Sequence, residues 1–474
     1  MIIIGREKEQ DILNTCLMSN RPEFIVVYGR RRVGKTYLIK EYFNNRFAFY
    51  ATGVTDEKMN GQLRSFNDSL KLYGHKKKRV PADWFEAFSR LREVLEGSNV
   101  QRDQVTGRRV VFLDEVPWMD TAKSGFKSAL DYFWNSWASS CPDIVLIICG
   151  SATSWITDNI FKSKRGFYNR ITRRIRLKPF TLSESDRLLK NNGISLSRSQ
   201  LIEAYMIFGG IPYYLNLFDR RLSLAQNVEE LLFKESGELY YEYDYLFSSL
   251  FKKPEKYLAV VKAISDKKCG VLRKELSSHT DIGDGEPLTK ALRQLEECAF
   301  IRKYKNYGKD KQSFIFQLMD PFTMFCMEFI ADRKVNSWMK FIGSPSYYNW
   351  RGYAFEIICL NHIDQIKTKL GIAGIDSMEY SWLGEYEDKK VQIDMLIDRK
   401  DDVINVCEIK STDQEFELDA EYEKKIKKRL EIFRLATGTK KTLSITLISA
   451  NGVKQNAYSG IIQNLITADD LFEK

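Results

Sequence analysis

Three short stretches in the first third of the chain are apolar without interruption: Phe24–Tyr28, Val110–Leu113 and Ile144–Cys149. A strand covered on one face alternates, whereas one covered on both faces does not. These runs therefore predict central strands of a sheet with helices on either side. Helical spacing follows the first run over Tyr37–Phe43. Beyond Phe180 the helical period dominates: Thr181-Leu182-Ser183-Glu184-Ser185 opens a helix, and the pattern continues to about Phe233. Tyr257–Ile264, Leu272–Leu276 and Leu288–Cys298 predict three amphipathic helices, and Phe300–Tyr304 with Phe314–Leu318 predict a hairpin about a polar turn bearing Gly308. Three helices and a hairpin suggest a winged helix, with Leu288, Leu292 and Leu295 inward and Lys290 and Arg293 outward. Farther on, Tyr353–Leu360 has helical spacing, and Val391–Ile397 and Val403–Cys407 read as two strands joined by the short polar turn Asp398–Asp402.

Composition narrows the class. At 474 residues, 44% hydrophobic and 29% charged, the chain is globular material for several domains, which excludes a disordered, collagen-like or low-complexity protein. Its 8 cysteines are scattered with no Cys-x-x-Cys pair, and only His75, His279 and His362 accompany them, so neither a zinc site nor a disulfide framework is expected. Arg6, Glu7 and Lys8 directly follow Met1–Ile4, unlike a signal peptide, and no apolar run approaches the ~20 residues of a membrane helix. The expectation is a soluble, cytoplasmic protein without a membrane partner. The net charge of +10 is uneven: residues 339–474 carry 19 Lys and Arg against 22 Asp and Glu, leaving +13 on residues 1–338. A basic excess attracts phosphate backbones and also serves solubility.

The first candidate site follows the first apolar run: Gly29-Arg30-Arg31-Arg32-Val33-Gly34-Lys35-Thr36. Strand, G-x-x-x-x-G-K-T, helix is the context of a phosphate-binding loop. Its glycines let backbone N–H groups curl round phosphate oxygens at the positive end of a helix. Lys35 is expected to reach the β- and γ-phosphates of ATP, and Thr36 to ligate Mg²⁺. The run Val110–Leu113 ends in Asp114-Glu115, where sheet ligands bind. Asp114 is placed to hold Mg²⁺ and Glu115 to activate the attacking water. Ile144–Cys149 ends in Gly150-Ser151-Ala152-Thr153, expected to lie between the other two strands; Ser151 is the first choice as γ-phosphate sensor and Thr153 the second, each equally readable as a helix N-cap. Among Arg170, Arg173 and Arg174, Arg170 is the first choice for an arginine finger, with a solvated basic face as the alternative.

Ile4-Gly5-Arg6-Glu7 with Glu9, the arginine-filled loop Gly29–Thr36, Leu113-Asp114-Glu115, Gly150-Ser151 and Phe208-Gly209-Gly210-Ile211-Pro212-Tyr213-Tyr214-Leu215 together resemble the archaeal-type ATPase family, related to AAA+ and STAND NTPases. The resemblance implies a three-layer α/β P-loop core and a helical lid closing on ATP, with Gly210 and Pro212 near the nucleotide. Read alone, Gly209–Pro212 is a helix stop and a turn.

The second candidate site lies in the acidic C-terminal part. Alternation puts Glu408 and Lys410 on one strand face, and the short turn brings Asp394 near Glu408 across the hairpin; Glu356 is the acidic member of the preceding helix. Convergent carboxylates with a lysine suit a Mg²⁺ or Mn²⁺ hydrolysis site, the lysine positioning water or offsetting charge. A surface salt bridge is the alternative for Glu408-x-Lys410. The set Glu356, Asp394, Glu408-x-Lys410 resembles the PD-(D/E)xK nuclease superfamily, with Ile393 where that pattern has Pro, and a nuclease-like domain of this kind is often fused to the ATPase family. Lys424, Lys425, Lys427, Lys428 and Arg429 on the next helix could grip a phosphate backbone, as could Arg302, Lys303, Lys305, Lys309 and Lys311 of the hairpin around Tyr304 and Tyr307. A lever between domains is an equal alternative for the winged helix, and a surface loop suits His75–Arg79.

The sequence thus predicts a multidomain α/β protein: a P-loop three-layer core (1–180), a helical lid (181–250), a winged helix (251–335) and a restriction-endonuclease-like α/β domain (339–474). The expected function is ATP hydrolysis coupled to nucleic-acid binding or metal-dependent phosphodiester cleavage, with DNA the first choice of partner and a homo-oligomer possible in principle. The alternative is a STAND-like ATP-driven switch whose last domain binds a partner and cuts nothing.

Overall fold

The computed structural model describes residues 3–162, 167–251, 253–267, 270–280, 282–308, 313–331, 337–386 and 389–473. Lys309 and Lys311 of the expected wing lie outside the described residues. The chain divides into two compact units, Met1–Pro179 and Phe180–Lys474. Among the described residues, no helix is long and apolar enough to cross a membrane.

The first unit is built on β1 (Glu23–Gly29), β2 (Phe49–Thr52), β3 (Arg109–Asp114), β4 (Ile144–Gly150) and β5 (Arg173–Leu177), paired in parallel in the order β2-β3-β4-β1-β5. The three unbroken apolar runs are its three central strands, and β4 lies between β3 and β1 as the sequence requires. Phe24 and Val26 of β1 join a core with Val111, Leu146, Phe66, Trp84 and Phe126. Ile25 and Val27 point the other way and are equally buried. The helices Glu7–Leu17 and Lys35–Tyr42 pack there, the first on β5 and the second on β1 and β4. Layers on both faces explain why these strands carry no polar alternation. The basic cluster His75–Arg79 is a loop between the helices Met59–Leu72 and Trp84–Leu95.

The second unit opens with the helix Leu182–Asn191, whose Thr181 and Glu184 form a reciprocal capping box. Helical segments continue through Phe233. Next come the helices Pro254–Ser265, Arg273–His279 and Glu286–Glu297 with β6 (Val271–Leu272), β7 (Ile301–Lys305) and β8 (Phe314–Leu318), an antiparallel sheet in the order β6-β8-β7. Leu288, Leu292 and Leu295 are buried and Lys290 is exposed, as the periodicity predicts, while Arg293 is half-buried rather than outward.

The C-terminal part holds β9 (Ser377–Tyr386), β10 (Lys389–Arg399), β11 (Val403–Lys410), β12 (Thr442–Ser449) and β13 (Asn464–Thr467) in the order β13-β12-β11-β10-β9. β9, β10 and β11 form an antiparallel meander, and β11, β12 and β13 run parallel. The helix Ala420–Thr437 makes the crossover from β11 to β12, and Pro345–Asn361 packs on β11.

Candidate functional site

In the first unit, β1 delivers the chain into the glycine loop through Gly29, where φ is +147° and an added Cβ would stand 2.2 Å from the Leu177 carbonyl oxygen. No side chain fits there. Lys35 is buried, and its Nζ donates to the carbonyls of Gly29 at 3.0 Å and Arg30 at 2.9 Å. Its charge is thus held inside the loop at the N-terminus of the helix Lys35–Tyr42. Arg30 is buried, Arg31 and Arg32 are half-buried, and Arg32 and Gly34 adopt positive φ (69° and 90°) on either side of buried Val33. Arg6 Nη2 clamps the loop's far end, donating to Val33 O at 3.1 Å and Lys178 O at 2.8 Å. The Gly5-Arg6-Glu7 motif gave the signal for that residue but not its task.

Thr36 Oγ1 donates to both Asp114 oxygens, at 2.8 and 3.1 Å. Burial pushes the Asp114 carboxyl above its ordinary range, and the neighbouring Glu115 charge adds to this against the Thr36 hydrogen bond. A hydroxyl and a carboxylate meeting at a loop with an inward lysine fit a phosphate-bound Mg²⁺, whose charge would relieve that burial. Glu115 sits at φ 46°, and its Oε2 accepts from Ser151 N at 3.1 Å and Ser151 Oγ at 2.9 Å. The strand-end acid and the first-choice sensor therefore meet directly. Thr153 is buried, and its Oγ1 has no hydrogen-bond partner among the described residues. Arg170 is spoken for in cis: its Nη1 pairs with Asp131 at 2.5 Å. Arg174 stacks on Phe161 at 4.4 Å.

In the second unit, Gly210 and Pro212 are buried in helical packing. A Cβ at Gly210 would stand 2.3 Å from Phe180 O, the Phe180 N–H donates to Gly210 O at 2.7 Å, and the Tyr205 hydroxyl donates to Phe180 O at 2.7 Å. The Gly-Gly-x-Pro motif is spent on this turn.

The C-terminal acids come from three neighbouring elements. Glu356 comes from the helix Pro345–Asn361, Asp394 from β10 and Glu408 from β11, where the pairing Met395↔Cys407 sets Asp394 across from Glu408. Burial pushes the Glu356 carboxyl up, and the Asp394 charge adds to it. Burial raises Asp394 too, with Glu408 adding and the Gln392 amide, donating at 2.6 Å, opposing. Burial works against charge on Glu408 as well, yet Lys410, Arg429 and Tyr422 hold its carboxyl below the ordinary range. Lys410 Nζ lies 2.9 Å from Glu408 Oε1, the Tyr422 hydroxyl donates to the same oxygen, and Arg429 Nη1 pairs with Oε2. The surface-salt-bridge alternative does not describe this pair, because Glu408 is buried and Lys410 half-buried. Among the described residues, no three His, Cys, Asp or Glu side chains converge as a ready metal cage. The expected trio is therefore corrected in one respect: Glu408 is engaged by three donors and only Glu356 and Asp394 are left facing each other. Two half-buried carboxylates raised by partial burial and by neighbouring acids still fit Mg²⁺ or Mn²⁺, which commonly take one or two carboxylates and complete their shell with water and substrate oxygens. Tyr422 was missed by the sequence reading, although it stands seven residues before Arg429 on one helical face.

A buried strand, a glycine loop closing on its own lysine and a strand-end aspartate bonded to the loop threonine define a P-loop NTPase. Residues 3–218 match the family described as an ATPase domain predominantly from Archaea. Over 309 residues it is 26% identical to an uncharacterised protein of Methanocaldococcus jannaschii, covering 64% of this chain and 62% of that protein. The chain thus spans about three-fifths of that relative's length. A 46-residue stretch is 39% identical to an uncharacterised ATP-binding protein of the same organism, covering 10% of this chain and 78% of that protein. Among solved structures, the chain is similar to a Walker-type ATPase of Pyrococcus abyssi (18% identity, TM-score 0.45, 68% of this chain and 95% of that one). It is also similar to the ORC2 protein of Aeropyrum pernix (13% identity, TM-score 0.44, 76% and 96%).

Proposed function

We propose that the protein hydrolyses ATP in its first unit and uses the second to bind nucleic acid, DNA foremost, and cleave its phosphodiester backbone with a divalent cation. In the ATPase reaction, the loop Gly29–Thr36 cradles phosphates, Lys35 offsets γ-phosphate charge, and Thr36 with Asp114 holds Mg²⁺. Glu115 orients the attacking water once Ser151 releases it. On this reading residues 251–335 form a winged-helix domain, and residues 339–474 a PD-(D/E)xK nuclease-like domain. The observation that carries the nuclease reading is that the charges of Asp394, Glu408 and Lys410, from two strands, all bear on the half-buried Glu356 of the neighbouring helix. A divalent cation held there would polarise the phosphodiester and lower the pKa of a bound water. Lys410 and Arg429 are placed to take a phosphate oxygen when they leave Glu408.

One observation favours a second reading, a STAND-like switch whose last domain binds a partner without cutting: Glu408 is already engaged by Lys410, Tyr422 and Arg429. Plasmid cleavage decides between them. Purified protein is incubated with Mg²⁺ or Mn²⁺, with and without ATP, beside Glu408→Ala and Lys35→Ala. The nuclease reading requires nicking that Glu408→Ala abolishes. Phosphate release should fall to background in Lys35→Ala, and unchanged release would remove the ATPase assignment for that loop. ATPase activity with no cleavage in any lane would establish the switch reading in its place.

A further inference from the structure

The hairpin of β7 and β8 leaves its own segment and docks on the edge of the C-terminal sheet. Asn306, one residue past β7, bridges Ser381 in β9. Its Nδ2 donates to Leu383 O at 3.1 Å, and its Oδ1 accepts from Leu383 N at 3.1 Å. The amide side chain therefore satisfies both backbone groups of one edge residue. Tyr307 N donates to Ser381 O at 3.4 Å, and the Tyr307 ring packs on Tyr380 and Phe433 with centroids 5.3 and 5.4 Å away.

This docking carries a charge inward. Residues 302, 304 and 306 share a face of the extended chain, and Arg302 Nε and Nη2 donate to Gln317 Oε1 at 2.9 and 2.6 Å. Arg302 Nη2 also donates to Ser381 Oγ at 3.1 Å. Ser381 is buried, and its hydroxyl donates onward to the carbonyl oxygen of Asp394. That carbonyl lies where the β9–β10 register breaks, between Ile393 and Leu396. A break of this kind interrupts the ladder and re-aims a side chain. Here the Ser381 hydroxyl supplies the hydrogen bond to the Asp394 carbonyl at that break. The Arg302 side chain is half-buried against these groups, and the acids whose charge reaches it are Asp394, Glu379 and Glu356, all from beyond the hairpin. A half-buried cation of one segment balanced by acids of another is a matched docking. A cleft lined by Gln317, Glu328, Trp350, Tyr353 and Glu356 opens beside the contact, so the residue that holds Arg302 and one of the acids share a wall.

We propose that Arg302 is a positioning residue for the C-terminal acid site: acting through Ser381, it fixes the irregularity in β10 that aims Asp394 at Glu356. The hairpin is then a working part of the phosphodiester site. This inference rests on reading Glu356 and Asp394 as a divalent-cation site beside the engaged Glu408. Partners of metal ligands typically change metal affinity by about 10- to 100-fold when removed.

The test is calorimetric titration of the full chain with Mn²⁺, without nucleotide or DNA, using Asp394→Asn to identify heat that belongs to the acid site. Ser381→Ala alters no charge and removes the tether. Arg302→Lys keeps the charge and removes the fork. Both should weaken the Asp394-dependent binding by at least about tenfold, while ATP binding stays at the wild-type level. Arg302→Met separates position from charge, because a purely electrostatic role would tighten Mn²⁺ binding by removing a repelling cation. Wild-type heat equal to that of Asp394→Asn would remove the metal-site reading and this inference with it. Wild-type heat distinct from Asp394→Asn, with Ser381→Ala and Arg302→Lys both within twofold of wild type, would overturn the inference alone. Should Ser381→Ala melt before titration, Arg302→Lys decides.

Discussion

His362 offers a stability measurement whose sign and size both follow from its surroundings. The ring is fully buried in the second unit, its Nε2 accepting from the Leu182 N–H at 3.0 Å and its Nδ1 donating to Ile358 O at 2.8 Å. An acceptor at Nε2 requires the neutral ring, and burial pushes the imidazole pKa down to about 4, against about 6.5 in an unfolded chain. Above pH ~6.5 neither state takes the proton, and the contribution to stability is present in full. Between there and pH ~4 the unfolded chain is protonated while the folded one is not, so acidification removes stability; below pH ~4 no more is lost. At pH ~4.5 the accumulated loss is about 2.5 kcal/mol. Glu356 and Asp394 act in the opposite sense, because their raised carboxyls bind protons more readily folded than unfolded and add stability as the pH falls. The histidine is therefore read as a difference between wild type and His362→Gln, by urea unfolding followed through tryptophan fluorescence from neutral pH to pH ~4.5. Wild type should lose about 2.5 kcal/mol more than the variant over that range. Parallel profiles would refute a neutral ring held by Leu182 and Ile358.

Arg170→Ala and Asp131→Ala should alter ATP turnover alike and by less than about tenfold, since each breaks one half-exposed ion pair. A loss near 10³ in Arg170→Ala alone, with Asp131→Ala unaffected, would instead reveal an arginine finger. Lys303 and Lys305 are exposed on the outer face of the docked hairpin. Reversing both to Glu should weaken DNA binding at low salt and flatten its logarithmic salt dependence by about two; identical binding isotherms would show that this face does not meet DNA.

The sheet of the first unit was legible where burial on two faces leaves an unbroken apolar run, as in β1, β3 and β4. It was illegible in β5, whose Arg-Arg-Ile-Arg-Leu carries three cations; its pairing with β1 makes it a strand, and no local pattern does. β2 is four residues long, too short to show a period. The strand, loop and helix around the glycine motif could be placed from the sequence because they are contiguous. The acid site was half legible. Asp394 and Glu408 stand on neighbouring strands joined by a short turn, so alternation brings them together. The cations that occupy Glu408 come from the next helix, and Ser381 and Arg302 are 79 residues apart. Contacts at such separation are set by packing of whole elements, which one sequence does not encode position by position.

Asn306 has a consequence for where the C-terminal part can be cut. A chain trimmed to begin at residue 339 keeps all five strands of the last sheet yet loses the amide that covers Leu383. That leaves the backbone groups of Ser381 and Leu383, midway along the outer side of ten-residue β9, bare. An exposed edge of this length is a template for strand addition by another copy. Such a fragment should self-associate or precipitate, whereas one beginning at Phe180 keeps both this contact and the rest of its compact unit. The shift to acidic composition near residue 339 marks a change of chemistry, while the compact unit that contains it begins at Phe180.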